Sequence, residues 1–138
     1  MAQLFCYGTL MYQPLLEALA GRPLSIEAAR LPGFRCLEVL RADYPGIVAC
    51  DGFSVEGILV RDIPSPAWPR LDRYEGEMYR RSVVRPVRDD GVTEKAWAYV
   101  IRPCYSARLG KKDWHFGPNA QRYAKMQLAA LIDRKPQE

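Results

Sequence analysis

Residues 71–81 read "LDRYEGEMYRR", and the fold turns on how that stretch is parsed. The longer run "IPSPAWPRLDRYEG" (63–76) brings Trp68, Leu71 and Tyr74 round at three-residue spacing, which predicts a short helix with those side chains inward. Ser65 is placed to cap it, Pro66 suits its first turn and Gly76 stops it. Glu75 is then the last helical residue, directly after an inward-facing tyrosine. A carboxylate is electrostatically disfavoured at a helix C-terminus. Tucked among aromatics it also loses hydration, so its pKa should rise. Such a group suits general acid–base work near neutral pH.

Outward from this helix the chain reads mainly as strands. Before it, "FSVEGILVRDI" (53–63) predicts a strand apolar on much of both faces, and "DYPGIVACDG" (43–52) a turn and a brief apolar strand. "SIEAARLPGFRCLEVL" (25–40) predicts two strand segments broken at Pro32-Gly33. "QPLLEALAGR" (13–22) predicts a helix with Leu15, Leu16 and Leu19 on one face and Gly21 as its stop, after a short strand "QLFCY" (3–7). Beyond Gly76, "YRRSVVRPV" and "EKAWAYVI" predict two strands joined around "RDDG" (88–91) in a hairpin-like connection. "NAQRYAKMQLAALIDR" (119–134) predicts a closing helix capped by Asn119, with a stripe of Tyr123, Ala124, Leu128, Leu131 and Ile132. The tail "KPQE" (135–138) should fray. Strands with helices early, midway and at the end predict one α+β domain over 1–138, with a mixed, strongly curved or barrel-like sheet.

Composition removes several classes of function. The 138 residues carry 20 basic and 16 acidic side chains, net +4, and both signs mix in "RPVRDD" and "GKKDWH". A nucleic-acid face needs clustered Lys/Arg interleaved with exposed aromatics, so no nucleic-acid partner is expected. No run approaches the ~18 apolar residues of a membrane span, and "AQLFCYGTL" has none of the regions of a secretory leader. A cytoplasmic protein is expected. The four isolated cysteines, Cys6, Cys36, Cys50 and Cys104, then read as reduced, mostly buried core residues. Residues at metal-ligand spacing and glycine-rich phosphate loops are both missing, so neither metal nor cofactor is expected. The single histidine, His115, sits in the loop "KKDWHFGPN" and reads as packed or surface rather than as a base.

"FCYGTLMYQP" (5–14) places Gly8 where a strand gives way to a helix. A glycine there permits a turn, or lets loop N–H groups close round an anion with the helix N-terminus adding favourable potential.

"YGTL", "DYPGIV", "VEGILV", "LDRYEGEMYRR" and "AWAYV", in that order from about Leu4 to about Val100, resemble the gamma-glutamylcyclotransferase-like family. The segment "DWHFGPN" and the last helix look similar too. The resemblance implies a small mixed β-barrel-like fold with a ligand cavity at one end, and Glu75 as catalytic acid/base. It implies that Tyr7, Gly8, Thr9 and Leu10 cradle the glutamyl end of the substrate through backbone groups. It also implies that Tyr79 lines the cavity and that Tyr99 joins it, the alternative for both being core packing. The implied reaction is cyclisation of a γ-glutamyl amide to 5-oxoproline with release of the amine. The leaving amine and the oligomeric state are not specified by these motifs, and Arg80 and Arg81 read as solvated. A second reading keeps the cavity as a non-catalytic site for a small carboxylate- or amine-bearing metabolite.

Overall fold

Alternation along the first strand, β1 (Ala2–Cys6), sends Leu4 and Cys6 to one face of a sheet and Phe5 to the other. A separate core grows on each face. The computed structural model describes residues 2–133, so the expected frayed tail at 135–138 lies outside the described residues. After β1 come a 3-10 turn (Thr9–Met11), α1 (Gln13–Ala20), β2 (Ile26–Val39), β3 (Pro45–Ile63) and α2 (Ala67–Glu75). Then follow β4 (Tyr79–Val84), β5 (Val87–Arg88), β6 (Ala96–Ile101), a second 3-10 turn (Pro103–Arg108), β7 (Leu109–Asp113) and α3 (Pro118–Asp133).

The sheet is mixed, as the α+β reading expects. Its order is β4-β6-β1-β3-β2-β5, with β7 also paired to β2. β1 is central, antiparallel to β3 and parallel to β6 at Leu4↔Trp97. On one face the three α-helices cover Leu4, Cys6, Val60, Ile63 and Tyr99, contributing Leu15, Leu16 and Leu19 of α1, Leu71 of α2 and Ala124 of α3. The opposite cluster of Phe5, Leu31, Ile47, Val55, Leu59 and Ala98 draws on strands and the residues just beyond them, with no helix over it. A flat sheet would leave it wet, so the sheet itself must wrap it. Gly57 allows this close approach: a Cβ there would lie 2.3 Å from the Cys6 carbonyl oxygen and 2.7 Å from Phe5 Cζ.

The sheet curls without closing, since its edge strands β4 and β5 do not pair; barrel-like is therefore corrected to a curled, open sheet. The expected break at Pro32-Gly33 is a bulge inside a continuous 14-residue strand, and the two segments expected over 43–63 are one 19-residue strand. The β2–β3 register runs Pro32↔Ser54 and then Phe34↔Ala49. Gly33 (φ +81°) and Gly52 (φ +85°) take the left-handed backbone this requires. Proline without an N–H and a permissive glycine bend a ladder as readily as they end it.

The expected hairpin is present as the β4–β6 pair, from Tyr79↔Ile101 to Val84↔Ala96. Its connection detours, with Arg88 of β5 pairing Ala29 of β2. Two caps differ from expectation. Pro66 rather than Ser65 precedes α2 and no side chain caps it; Ala67 N–H donates to the Pro64 carbonyl at 2.9 Å instead. Asn119 lies within the first turn of α3, where Gln121 N–H donates to the Gly117 carbonyl at 2.9 Å. On α3, Ala120, Ala124, Leu128 and Leu131 pack inward while Ile132 is 57% exposed, which corrects its place in the stripe.

Candidate active site

Glu75 ends α2, and Gly76 (φ +82°) closes the helix by donating its N–H to the Asp72 carbonyl at 3.0 Å. The chain turns so sharply there that Glu75 faces back over the sheet. Its side chain lines a cavity of about 170 Å³ where the end of β1, the Gly8 turn, β4, β6 and α3 meet. Burial pushes the Glu75 carboxyl up to about 8, because the charged form loses hydration and no neighbour repays it. Among the described residues no hydrogen bond or ion pair reaches that carboxyl, and no Lys, Arg or His lines the cavity with it.

All seven residues singled out in the sequence, Tyr7, Gly8, Thr9, Leu10, Glu75, Tyr79 and Tyr99, line this one cavity. Gly8 has φ −116°, so positive φ is not its reason. A Cβ there would stand 3.2 Å from Pro45 Cγ and 3.3 Å from Cδ. Its want of a side chain lets the turn seat against Pro45. The turn is closed by Met11 N–H donating to the Gly8 carbonyl (3.0 Å) and Tyr12 N–H to the Thr9 carbonyl (3.1 Å). As at any helical start, the N–H groups ahead of these, on Gly8, Thr9 and Leu10, are not used by the turn. A three-residue 3-10 turn forms the loop between Gly8 and α1, which starts at Gln13 as the sequence predicts.

Thr9 is 6% exposed and pairs its Oγ1 with the Tyr74 hydroxyl at 3.0 Å. Leu10 is buried in the helix-side core. Three of the tyrosine hydroxyls are committed as donors: Tyr7 to the Tyr99 carbonyl, Tyr79 to the Pro45 carbonyl at 2.5 Å, and Tyr99 to Asp72 Oδ1 at 2.7 Å. What each oxygen has left is capacity to accept. Burial, followed by other contributions that include the charge of Glu75, pushes the phenols of Tyr7, Tyr74, Tyr79 and Tyr99 up, so all stay neutral. The thiol of Cys6 is pushed up by burial and by Glu75 in the same way.

Sequence reading missed Tyr44, Pro45, Met78, Tyr123 and Gln127 as cavity walls. "DYPGIV" carried the first two, but nothing in it gave their direction. Tyr123 and Gln127 stand four apart on α3, the spacing of one face, and Tyr123 tilts against Tyr44 at 6.1 Å between rings. Two expectations are corrected. Cys104 is exposed and Cys50 half-buried, so only Cys6 and Cys36 are core thiols. Arg81 is not solvated but stacked between Trp68 (4.5 Å) and Trp97 (5.0 Å). His115 is exposed, in keeping with its reading as a packed or surface residue, and lies outside the cavity. Among the described residues no three His, Cys, Asp or Glu side chains are placed to hold a metal, and no helix is long and apolar enough to cross a membrane.

Residues 4–116 match the model of the family described as gamma-glutamyl cyclotransferase, AIG2-like. AIG2-like protein A of Arabidopsis thaliana is 30% identical over 92 residues, 67% of this chain and 56% of that protein. The chain thus spans about half the length of the curated relatives it matches. A solution structure from Arabidopsis thaliana superposes with a TM-score of 0.70 at 23% identity, covering 99% of this chain and 95% of that one. A structure titled gamma-glutamyl cyclotransferase gives 0.66 at 13% identity over 94% and 98%. At such identities the two superpositions speak for the fold. The matched segment stops short of α3, so Tyr123 and Gln127 lie outside it.

Proposed function

The chain belongs to the gamma-glutamyl cyclotransferase, AIG2-like family, and we propose that it is an enzyme that closes a γ-glutamyl amide to 5-oxoproline and releases the amine. One observation carries the reading: a lone carboxyl, held near a pKa of about 8, in a cavity that also admits the Gly8 turn. The substrate's own α-amino group is the nucleophile, so no Ser, Cys or His of the protein is required. Ring closure is intramolecular, and well-oriented intramolecular reactions reach effective molarities of ~10^5 M or more. Glu75 takes a proton from the α-ammonium, the freed nitrogen attacks the γ-carbonyl, Glu75 returns that proton to the departing nitrogen as the amide bond breaks, and the second proton shed by the ring nitrogen leaves on the released amine as its ammonium. No electrons change hands, so the reaction itself calls for no redox group.

The cavity supports this assignment in two ways. A volume of about 170 Å³ is well below that of a drug-sized pocket and suits a single glutamyl group with its amide pointing outward. Its walls offer an acid, tyrosine oxygens whose donors are already spent, and aromatic faces, all of which favour an ammonium. The backbone N–H groups of Gly8, Thr9 and Leu10 are the donors for the α-carboxylate or for the oxyanion that forms at the γ-carbon. The test is a panel of γ-glutamyl amines and γ-glutamyl amino acids with 5-oxoproline as the readout. Release from at least one member is expected. Silence across the panel, with tight ligand binding lost in Glu75→Ala, would reduce the cavity to a binding site.

A further inference from the structure

The motif holds a second carboxylate, Asp72, one turn before Glu75 and unused by the proposed chemistry. Like Glu75 it stands in the last turn of α2, where negative charge is disfavoured. Two partners offset that through three contacts. Arg81 grips it with Nε at 3.1 Å from Oδ1 and Nη2 at 3.3 Å from Oδ2, and the Tyr99 hydroxyl donates to Oδ1 at 2.7 Å. Arg81 and Tyr99 are directly opposed across the β4–β6 ladder, so both side chains leave the same face and converge on Asp72. The guanidinium lies over the rings of both Trp68, one turn earlier on α2, and Trp97 of β6. Tyr99 in turn takes the Tyr7 hydroxyl on its carbonyl. A continuous set of contacts therefore runs from α2 through β6 to the end of β1, on both sides of the cavity.

We infer that Asp72 and Arg81 are positioning residues: their forked ion pair, stacked between two tryptophans, locks the last turn of α2 onto β4 and β6 and so fixes where Glu75 stands against the Gly8 turn. Neither touches the substrate. An ordinary surface ion pair would have little reason to be sandwiched between tryptophans of two separate elements, or to share its carboxylate with the hydroxyl of a cavity tyrosine. The pair is also neutral as a whole, which keeps an unbalanced charge away from the acid one turn on. The other titratable groups facing Glu75 are Cys6 and Tyr7 from the β1 end, Tyr79 of β4, Tyr99 of β6, Tyr123 of α3 and Tyr74 of its own helix. All are uncharged near neutral pH.

The role assigned to the pair in turnover rests on the cyclotransferase reading of Glu75, whereas its effect on the Glu75 carboxyl does not. The experiment therefore follows that carboxyl directly, by 13C NMR titration of glutamate-labelled protein, with Glu75→Gln identifying the signal. Asp72→Asn leaves an unpaired guanidinium at the helical turn before the acid and should lower its titration midpoint by about half a pH unit; Arg81→Gln leaves an unpaired carboxylate there and should raise it. The double variant should titrate near the parent midpoint. On a substrate found by the panel, each single variant should lose about 10- to 100-fold in kcat with KM little changed, as expected of misplacement. Thermal melts confirm that the variants measured are folded.

Opposite shifts of the midpoint sustain the clamp even if no substrate is ever turned over, in which case only the catalytic reading fails. Unmoved midpoints in folded single variants overturn it. So does a loss of activity that merely tracks the folded fraction, because that is all a structural ion pair would produce.

Discussion

Replacing Glu75 by Gln should stabilise the protein, and by more as the pH rises. The folded protein keeps the Glu75 proton up to about pH 8, whereas the unfolded chain releases it near the ordinary value of 4.5. For an acid raised in this way, the contribution to stability is complete below the unfolded pKa and is lost progressively as pH climbs to the folded one. At ~1.36 kcal/mol per pKa unit, the loss would be under ~1 kcal/mol near pH 5 and up to ~5 kcal/mol near pH 8.5. Glu75 as a residue is half-buried, so solvent screens part of this and ~2–3 kcal/mol is the expected gain at the alkaline end. In a domain of this size that is roughly 6–15 °C in Tm. The assay is a series of thermal melts of both proteins between about pH 5 and pH 9, read by circular dichroism. The two curves should converge at the acid end and diverge upward. Parallel curves, or a gap that narrows as pH rises, would refute a carboxyl held protonated by burial.

Three further outcomes follow from the same geometry. The free enzyme's kcat/KM should rise with pH through about 8, and the inflection in kcat should fall lower, because a bound ammonium favours the ionised acid; a rate independent of pH between about 6 and 9 contradicts this. Gly57→Ala would drive a Cβ to 2.3 Å from the Cys6 carbonyl oxygen, backbone that cannot give way cheaply, so the protein should lose ~3 kcal/mol or more in denaturant unfolding. Gly8→Ala presses only on the Pro45 ring at 3.2–3.3 Å; it should cost ~1 kcal/mol of stability and raise KM more than it lowers kcat, as steady-state kinetics and melts together will show.

How far the sequence reached is clear from individual residues. Glu75 was legible because two local signals converge on it: the Trp68, Leu71, Tyr74 period that faces the helix inward, and Gly76, which fixes the end. The Gly8 turn was legible as a place, though not for its reason, since Pro45 lies 37 positions away in sequence and its approach is a tertiary fact. Pro32-Gly33 misled because a bulge and a turn use the same residues, and only pairing with Ser54 and Ala49 tells them apart. Arg81 misled because stacking on Trp68 and Trp97 depends on two elements meeting. Tyr123 and Gln127 escaped notice since one face of α3 serves both core and cavity, and a helical period cannot separate the two.

Glu75 is the proton carrier of the proposed reaction, and side-by-side turnover of parent and Glu75→Gln on one accepted γ-glutamyl substrate tests that role most directly. The variant should fold, still bind 5-oxoproline and release none from substrate. Near-parental 5-oxoproline release by Glu75→Gln would contradict the account.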